Sequence, residues 1–385
     1  MFEVLVNKRG AERFRQGLVW VFRADLLGEP QVSPGDLVRV RDADSNVIGW
    51  AFYGPSALAL RLLTREDKKP DQDFFARRLQ QAIARRREFL SGRDAMRMVH
   101  GEADGLPGFL VDQFGDGVVL QSLCLAIDQR EPMLIELLHD LLHPRVIVVR
   151  NDGMTREYEG LEDKKFIASG ADSKVEYHEG TVCFSIDLMS DQKTGAFLDQ
   201  YDNHLIAGNY ARGHALDLFC YHGGFALQMS QRAAHVIGVD QNELAITRAR
   251  YHAELNNIGN TEWRCENAFD ILREYEAAGK KFHTIVIDPP SFAKRKSALE
   301  AAMRGYKELN LRAMKLLTPG GILVTCSCSA KVSRHMFEEL LIASARDARR
   351  KFVILQRRGA GIDHPALLGV PETEYLKCFV LQALS

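Results

Sequence analysis

The amino-acid sequence predicts an α/β protein whose C-terminal half forms a doubly wound parallel sheet, preceded by two smaller domains. Alternating strand and helix patterns run through about 190 residues of that half, as is typical of such a sheet. Before them, residues 1–72 carry short apolar runs separated by turns, and residues 73–187 mix both patterns. We therefore expect a small β-rich domain at 1–72, an α+β domain at 73–187 and the doubly wound domain at 188–385.

Composition and cysteine usage narrow the class of protein. The chain has 385 residues, of which 46% are hydrophobic and 26% charged, with a net charge of −1. No apolar run approaches the length that crosses a bilayer, and the N-terminus lacks the pattern of a signal peptide. The seven scattered cysteines form no C-x-x-C pair and no cluster with zinc spacing. We expect a cytoplasmic protein without a structural metal.

The first two domains follow from local patterns. Five short apolar runs separated by turn residues indicate the β-rich domain, at Val4–Val6, Val19–Phe22, Leu37–Val40, Val47–Phe52 and Leu58–Leu63. An arginine-rich amphipathic pattern predicts a helix from Gln72 to Ser91, and Glu131–Leu142 predicts another. Strands of the α+β domain are expected at Phe109–Gln113, Gly117–Leu125, Val146–Val149 and Val182–Ile186.

Residues 215–240 carry the most informative pattern. An apolar run reaches Asp217, a turn with Gly223 and Gly224 opens a helix, and a second apolar run ends at Asp240. Strand, glycine turn, helix, strand and acid is the unit that binds nucleotide cofactors, with the final carboxylate on ribose hydroxyls. The turn lacks the G-x-G-x-x-G of a pyrophosphate site, which disfavours a dehydrogenase. An acidic residue before the turn suits S-adenosylmethionine (SAM), whose methionine end carries an ammonium group.

The remaining elements alternate regularly. Helices are expected at Leu244–Asn257, Phe269–Ala278, Ala298–Leu317 (ended by Thr318–Gly321) and Arg334–Ala345, and strands at Glu262–Cys265, Phe282–Ile287, Ile322–Thr325, Phe352–Gln356 and Tyr375–Leu381. Ligands of doubly wound sheets bind at the carboxyl ends of the strands. The candidate site residues are therefore Asp217, Asp240, Asn267, Asp288 and the segment Cys326–Cys328.

Two of these strand ends indicate chemistry on a base. In Asp288-Pro289-Pro290-Ser291, two prolines fix the backbone where a planar base is gripped, and the carboxylate can bond a ring nitrogen. Cys326 and Cys328 form a C-x-C and would share one side of the sheet if the strand continued. A thiolate adding to carbon 6 of a pyrimidine makes carbon 5 nucleophilic enough to take a methyl group. Methylation of an amine or ring nitrogen needs no cysteine.

Several motifs together resemble one enzyme family. The segments are QKTGAFLDQ (192–200), DLFCYHGGF (217–225), DPPSF (288–292), TCSCS (325–329), the closing His364-Pro365 to Lys377, and, near the N-terminus, Trp20-Val21-Phe22 and PGDLVRV. They look like the RlmI family of large-subunit rRNA cytosine-5 methyltransferases, which have PUA, middle and Rossmann-like class I SAM methyltransferase domains. The resemblance implies SAM as cofactor, ribosomal RNA as partner, Cys328 as nucleophile with Cys326 as runner-up, and Asp288 as a base contact.

The same resemblance implies a set of cofactor contacts. They are Gln192, Lys193, Thr194, Phe197, Asp199, Gln200, Asp217, Phe219, Tyr221, Gly223, Gly224, Asp240, Asn267 and Asp288. The PUA-like surface and Lys294–Lys296 are expected to contact phosphates. Many RNA 5-methylcytosine enzymes carry a second cysteine at the position of Ser291, where it helps product release. How the product leaves here is open.

Two rival functions remain open at this level. One is an rRNA methyltransferase acting on a purine nitrogen, with Asp288–Ser291 gripping the base and no role for cysteine. The other is an RNA-binding assembly factor that holds SAM without turnover. The sequence identifies neither the target nucleotide nor the oligomeric state, for which a homodimer is one option.

Overall fold

The computed structural model describes residues 2–153, 156–293 and 296–384 and divides the chain into two compact units. The first comprises residues up to His178 together with Ser185–Leu198 and Ile362–Thr373. The second comprises Glu179–Phe184, Asp199–Gly361 and the residues from Glu374 onward. Among the described helices, none is both long and apolar enough to cross a membrane.

The N-terminal module of the first unit is a five-stranded sheet with one helix. Its elements are β1 (Glu3–Leu5), α1 (Lys8–Arg15), β2 (Trp20–Phe22), β3 (Leu37–Arg41), β4 (Val47–Tyr53) and β5 (Leu58–Thr64). The sheet order is β1-β3-β4-β5-β2, with only β1 and β3 parallel among its pairs. All five strands agree with the predicted runs. Helix α1 was not predicted, because only Ala11 and Phe14 mark its buried face and eight residues show too little periodicity.

The rest of the first unit is built on a second five-stranded sheet. The elements are α2 (Gln72–Phe89), β6 (Ala95–His100), β7 (Phe109–Phe114), β8 (Gly117–Ser122), α3 (Leu125–Asp128), α4 (Glu131–Leu142), β9 (Val146–Asn151) and β10 (Lys164–Ser169). The sheet order is β10-β9-β8-β7-β6. β11 (Lys174–Glu179) and β12 (Val182–Asp187) then form a two-stranded sheet, of which residues Glu179–Phe184 are assigned to the second unit. The strand predicted to reach Leu125 ends at Ser122, and β6, β10 and β11 were not predicted.

Two arginines of the first unit form ion pairs within the fold. Arg86 is buried, and its Nη1 donates to Oδ1 of Asp104 over 2.6 Å. Arg97 contacts both carboxylate oxygens of Asp112, at 2.7 and 2.8 Å. Burial of these charges is tolerated because each has a hydrogen-bonded partner of opposite sign. Arg86 and Arg97 therefore belong to ion pairs that stabilise the fold.

The second unit contains a seven-stranded sheet with helices on both faces. Its elements are α5 (Tyr201–Tyr210), β13 (His214–Leu218), α6 (Gly224–Ser230), β14 (His235–Asp240), α7 (Glu243–Leu255), β15 (Thr261–Cys265), α8 (Ala268–Ala277), β16 (Phe282–Ile287), α9 (Leu299–Leu316), β17 (Leu317–Ser327), α10 (Arg334–Asp347), β18 (Phe352–Arg358) and β19 (Lys377–Ala383). The order is β15-β14-β13-β16-β17-β19-β18, with β19 antiparallel to both neighbours. This confirms the predicted doubly wound sheet.

The second unit differs from the prediction in two elements. β17 begins at Leu317, directly after α9, so the predicted turn Thr318–Gly321 belongs to the strand. Helix α5 was not predicted, because its buried side is largely polar, with Asn203 and His204 among the buried residues. Two of the predicted phosphate contacts, Lys294 and Arg295, lie outside the described residues.

Both faces of the central strands are buried, which holds the strand ends in place. In β13, Leu216 and Leu218 join one hydrophobic cluster, and Ala215, which precedes them on the opposite face, joins another. In β16, Ile287 and Val286 divide between the two clusters in the same way. Strands covered on both faces read as continuous apolar runs. Residues just past their carboxyl ends are thereby fixed at one edge of a rigid sheet.

Candidate active site

Four predicted site residues lie at the carboxyl edge of adjacent parallel strands. Asp217 lies near the end of β13, and Asp240 ends β14. Asp288 follows β16, and its amide donates to the carbonyl of Leu218 over 3.4 Å. Cys328 follows β17, which pairs in parallel with β16. This edge is where doubly wound sheets bind ligands.

Asp217 is a buried carboxyl group without a strong partner. Its side chain is completely inaccessible, and neither carboxylate oxygen has a hydrogen-bond partner of good geometry among the described residues, the amide of Ala226 being a weak contact that favours the ionised form slightly. Burial raises the pKa of Asp217 to about 8; the nearby His204 opposes this rise, and the charge of Asp288 adds to it. Leaving a carboxylate unsatisfied in the interior is costly. A cationic ligand group would remove that cost, which fits the ammonium group of SAM.

The turn after β13 has the strained backbone of a ligand-binding loop. Phe219 and Tyr221 have positive φ angles of 67° and 47°, which non-glycine residues seldom adopt. Gly223 has φ 91° and is the N-cap that directly precedes α6. A side chain at Gly224 would place its Cβ 2.5 Å from the His204 ring. Strain of this kind concentrates at functional sites, so these four predicted residues form a turn suited to close backbone approach.

Asp240 connects this turn to the following helix. Its Oδ2 accepts a hydrogen bond from the amide of Tyr221 at 3.0 Å, and its Oδ1 accepts one from the amide of Asn242 at 2.9 Å. A carboxylate has about four acceptor positions. Two acceptor positions therefore remain, and the ribose contact expected of Asp240 stays a prediction. Both bonds also orient the carboxylate at the strand end.

Asn267 has a structural role that the sequence pattern did not indicate. Its Oδ1 accepts a hydrogen bond from the amide of Phe269 at 2.9 Å, which makes it the N-cap of α8. Asparagine is a preferred N-cap because this bond satisfies an otherwise unpaired helix amide. The cap explains the residue type by itself, and the predicted adenine contact stays a prediction.

The motif at 192–200 is divided between the two units. Gln192, Lys193, Thr194 and Phe197 belong to the first unit, and Asp199 and Gln200 to the second. The Thr194 hydroxyl donates to Oδ2 of Asp112 over 2.7 Å, and the Lys193 ammonium lies 4.0 Å from the Phe197 ring centre.

The two residues in the second unit also have protein partners. Oδ2 of Asp199 accepts from the Tyr375 hydroxyl at 2.7 Å, and Oε1 of Gln200 accepts from Asn203 at 2.7 Å. These contacts account for the residue types without a ligand, so the implied cofactor contacts of the motif remain predictions.

The two candidate cysteines occupy different environments. Cys326 is completely buried in β17, directly opposite Cys378 of β19. Burial, together with its neighbour Cys378, raises the pKa of the Cys326 thiol well above its ordinary value. Cys328 is partly exposed, and its Sγ lies 3.8 Å from the carbonyl oxygen of Pro289. Because β17 ends at Ser327, strand alternation does not extend to Cys328.

A buried hydroxyl cluster joins the two loops of the site. Oγ of Ser329 lies 3.1 Å from Oγ of Ser291 and 3.0 Å from the Tyr306 hydroxyl. It also accepts the amide hydrogen of Ala293 at 3.2 Å. Phe292 packs against Tyr306, with 4.8 Å between ring centres. The cluster fixes Cys328 relative to Asp288, because Ser291 and Ser329 each lie within three residues of one of them.

Sequence reasoning missed three residues beside Cys328. Ser329 and Tyr306 belong to the hydroxyl cluster, and the buried Lys377 donates from Nζ to the carbonyls of Ser329 and Tyr375, both at 2.7 Å. The sequence feature that could have identified Lys377 is a charged residue at the start of an otherwise largely apolar strand. Within the described ranges, no group of three His, Cys, Asp or Glu side chains is arranged to hold a metal.

Two protein-family models match parts of this chain. Residues 4–65 match the model of a PUA-like domain, and residues 211–352 match that of a methyltransferase domain. The ribosomal RNA large subunit methyltransferase I of Tolumonas auensis is 38% identical over 380 residues, which cover 95% of each chain. The protein of that name from Photobacterium profundum is 34% identical over 385 residues, covering 96% of this chain and 97% of the other.

Solved structures show the same fold over the full length. A candidate SAM-dependent methyltransferase from Streptococcus mutans has a TM-score of 0.84 at 18% identity, covering 99% of this chain and 100% of its own. A candidate methyltransferase complexed with SAH, the demethylated product of SAM, has a TM-score of 0.85 at 18% identity and the same coverage. The match to a methyltransferase domain and the full-length methyltransferase relatives indicate SAM as the cofactor. At these sequence identities and coverages, the chain belongs to the family of ribosomal RNA large subunit methyltransferases I.

Proposed function

We propose that this protein transfers a methyl group from SAM to carbon 5 of a cytidine in large-subunit ribosomal RNA. The observation that carries the proposal is the partly exposed Cys328, 3.8 Å from Pro289 in the loop that carries Asp288. A thiol at this strand end has no use in methylating a purine nitrogen. The names of the full-length relatives support large-subunit rRNA as the substrate, and the cytoplasm as the place of reaction.

The chemistry assigned to the protein centres on the cysteine. The thiolate of Cys328 adds to carbon 6 of the pyrimidine, so that the electron pair of the 5,6 double bond makes carbon 5 nucleophilic. SAM, when bound, supplies the electrophilic methyl group. A base then removes the proton from carbon 5, the 5,6 double bond forms again, and the sulfur leaves as thiolate. Burial of Cys326, directly opposite Cys378, supports the choice of Cys328 over Cys326 as the nucleophile.

Asp288 and the neighbouring prolines are proposed to hold the base. A base must leave its stack to reach an enzymatic nucleophile. The carboxylate of Asp288 would contact the polar edge of the cytosine, and Pro289 and Pro290 limit the movement of the backbone beside it. The hydroxyl cluster around Ser329 keeps this loop and the Cys328 loop together.

The PUA-like module at residues 4–65 is proposed to contribute RNA affinity. Contacts to phosphates make such affinity fall steeply with salt. Lys294 to Lys296 stay a second proposed phosphate contact. In this proposal the first unit binds the RNA chain, and the second unit binds the base that reacts.

The test uses tritiated SAM and large-subunit rRNA that lacks its methylations. The full-length protein is incubated with both, the RNA is digested, and the labelled nucleoside is identified by mass spectrometry. The proposal requires label in 5-methylcytidine, loss of label with Cys328→Ala, and label retained with Cys326→Ala as the matched control. SAM binding should be unchanged in both variants. A methylated purine, or an active Cys328→Ala enzyme, would refute the cytosine mechanism.

A further inference from the structure

Lys377 is a buried cation beside the proposed nucleophile, and no carboxylate among the described residues forms an ion pair with it. It begins β19 and lies opposite Ser327, the residue before Cys328. Its side chain is almost inaccessible, at 2% exposure for the residue. Within the described residues, both of its hydrogen-bond acceptors are backbone carbonyls, those of Ser329 and Tyr375. Burying a lysine is costly unless an anion compensates for it, so its presence needs an explanation.

The charge of Lys377 is coupled to Cys328. Burial lowers the pKa of Lys377 to about 8, and the thiolate of Cys328 opposes this effect. Arg334 adds to the lowering and Glu374 opposes it, but these two also form an ion pair with each other. From helix α9, Tyr306 faces the same sulfur; its own pKa is raised, chiefly by burial, with a contribution from the thiolate. Lys377 therefore remains largely protonated near neutral pH.

We propose that Lys377 is a positioning residue that stabilises the thiolate of Cys328 before it attacks the pyrimidine and again when it leaves. The inference rests on the proposed function. The thiol first loses its proton to solvent, and Lys377 keeps its own protons throughout. Addition to carbon 6 moves the negative charge from sulfur into the ring, and elimination returns it to sulfur beside the ammonium group. A stabilised thiolate is a better leaving group, so the same charge assists product release.

The two carbonyl contacts explain how the charge is kept in position. The carbonyl of Ser329 belongs to the residue after Cys328, and the oxygen of its side chain lies in the hydroxyl cluster. The ammonium group therefore holds the backbone of the cysteine loop as well as supplying charge. A lysine has three N–H donors, of which two are used by these carbonyls. An uncharged side chain of the same length would fill the space but lose both effects.

The test measures the reactivity of Cys328 without turnover. In a Cys326→Ala background, alkylation by iodoacetamide is followed across pH by mass spectrometry of the peptide that contains Cys328. With Lys377 present, the pH midpoint should lie below the value of about 8.5 for an ordinary cysteine. Lys377→Met should raise the midpoint by about one pH unit and slow alkylation at neutral pH about tenfold. Lys377→Arg should restore most of the rate.

Controls separate the charge effect from damage to the fold. Lys315→Met removes a lysine of the same unit that pairs with Glu276 over 2.7 Å, and it should leave alkylation unchanged. Each variant is checked by thermal unfolding and SAM binding. If Lys377→Met does not fold, the inference is still tested by the pH midpoint of Cys328 alkylation in the protein that keeps Lys377. The alkylation rate of Lys377→Arg tests it as well. A midpoint at or above about 8.5 with Lys377 present overturns the inference.

Two further results distinguish this inference from the proposed function. If the unmodified enzyme forms 5-methylcytidine but folded Lys377→Met is alkylated as fast as the parent, the role of Lys377 is refuted and the proposed function stands. If no 5-methylcytidine forms, the proposed function fails, and with it the catalytic use of this charge.

Discussion

We expect SAM binding to depend on pH through the buried carboxyl group of Asp217. Its pKa is raised to about 8 in the ligand-free protein, chiefly by burial. A bound ammonium group favours the ionised carboxylate, so binding requires the proton to leave. Below the raised pKa the protein must first release this proton, and SAM affinity therefore falls as the pH falls.

The size of the effect follows from the pKa. With a pKa of about 8, about half of the carboxyl groups are ionised at pH 8 and about one in a hundred at pH 6. The dissociation constant for SAM should therefore be about 50-fold larger at pH 6 than at pH 8. Isothermal titration calorimetry in two buffers of different ionisation enthalpy measures both the affinity and the proton released.

Substitution shows whether Asp217 causes the effect. Asp217→Asn has no titratable group, so its SAM affinity should be weak at pH 8 and nearly constant down to pH 6. The matched control is Asp270→Asn, because the Asp270 side chain is exposed and pairs only with Arg273 across one helix turn among the described ion pairs. Equal SAM affinity of the unmodified protein at both pH values, or a pH dependence that persists in Asp217→Asn, would refute the reasoning.

Three further outcomes can be checked. Asp104→Ala leaves the buried Arg86 without its carboxylate and should lower the free energy of unfolding by about 3–5 kcal/mol in urea denaturation. Asp116→Ala, which removes an exposed partner of Arg145, should cost less than about 1 kcal/mol, and equal losses would contradict the argument. Cys326→Ala should lower stability but keep 5-methylcytidine formation, and its inactivity would reopen the choice of nucleophile. Affinity for rRNA should fall steeply between about 50 and 200 mM salt, and a flat response would exclude phosphate contacts as its main source.

The parallel sheet and the position of its ligand edge were predictable because they depend on short-range patterns. Alternating strand and helix periods determine the topology, and covered strands appear as apolar runs. Asp217, Asp240 and Asp288 each follow such a run, so the sequence placed them near one edge before any contact was known. Helices α1 and α5 were not predicted from the sequence, because their buried residues are few or polar and the hydrophobic periodicity is then weak.

The sequence alone determined the fold class, the family resemblance and a pair of candidate cysteines at one strand end. Only the tertiary structure showed that their environments differ, because Cys326 is buried opposite Cys378, which belongs to a strand far away along the chain, whereas Cys328 is partly exposed. The same pairing places Lys377 opposite Ser327, where it contacts the carbonyl of Ser329, and β17 ends at Ser327, one residue before the proposed nucleophile. Local periodicity cannot encode these facts, since they depend on which distant strand pairs with β17 and in which register.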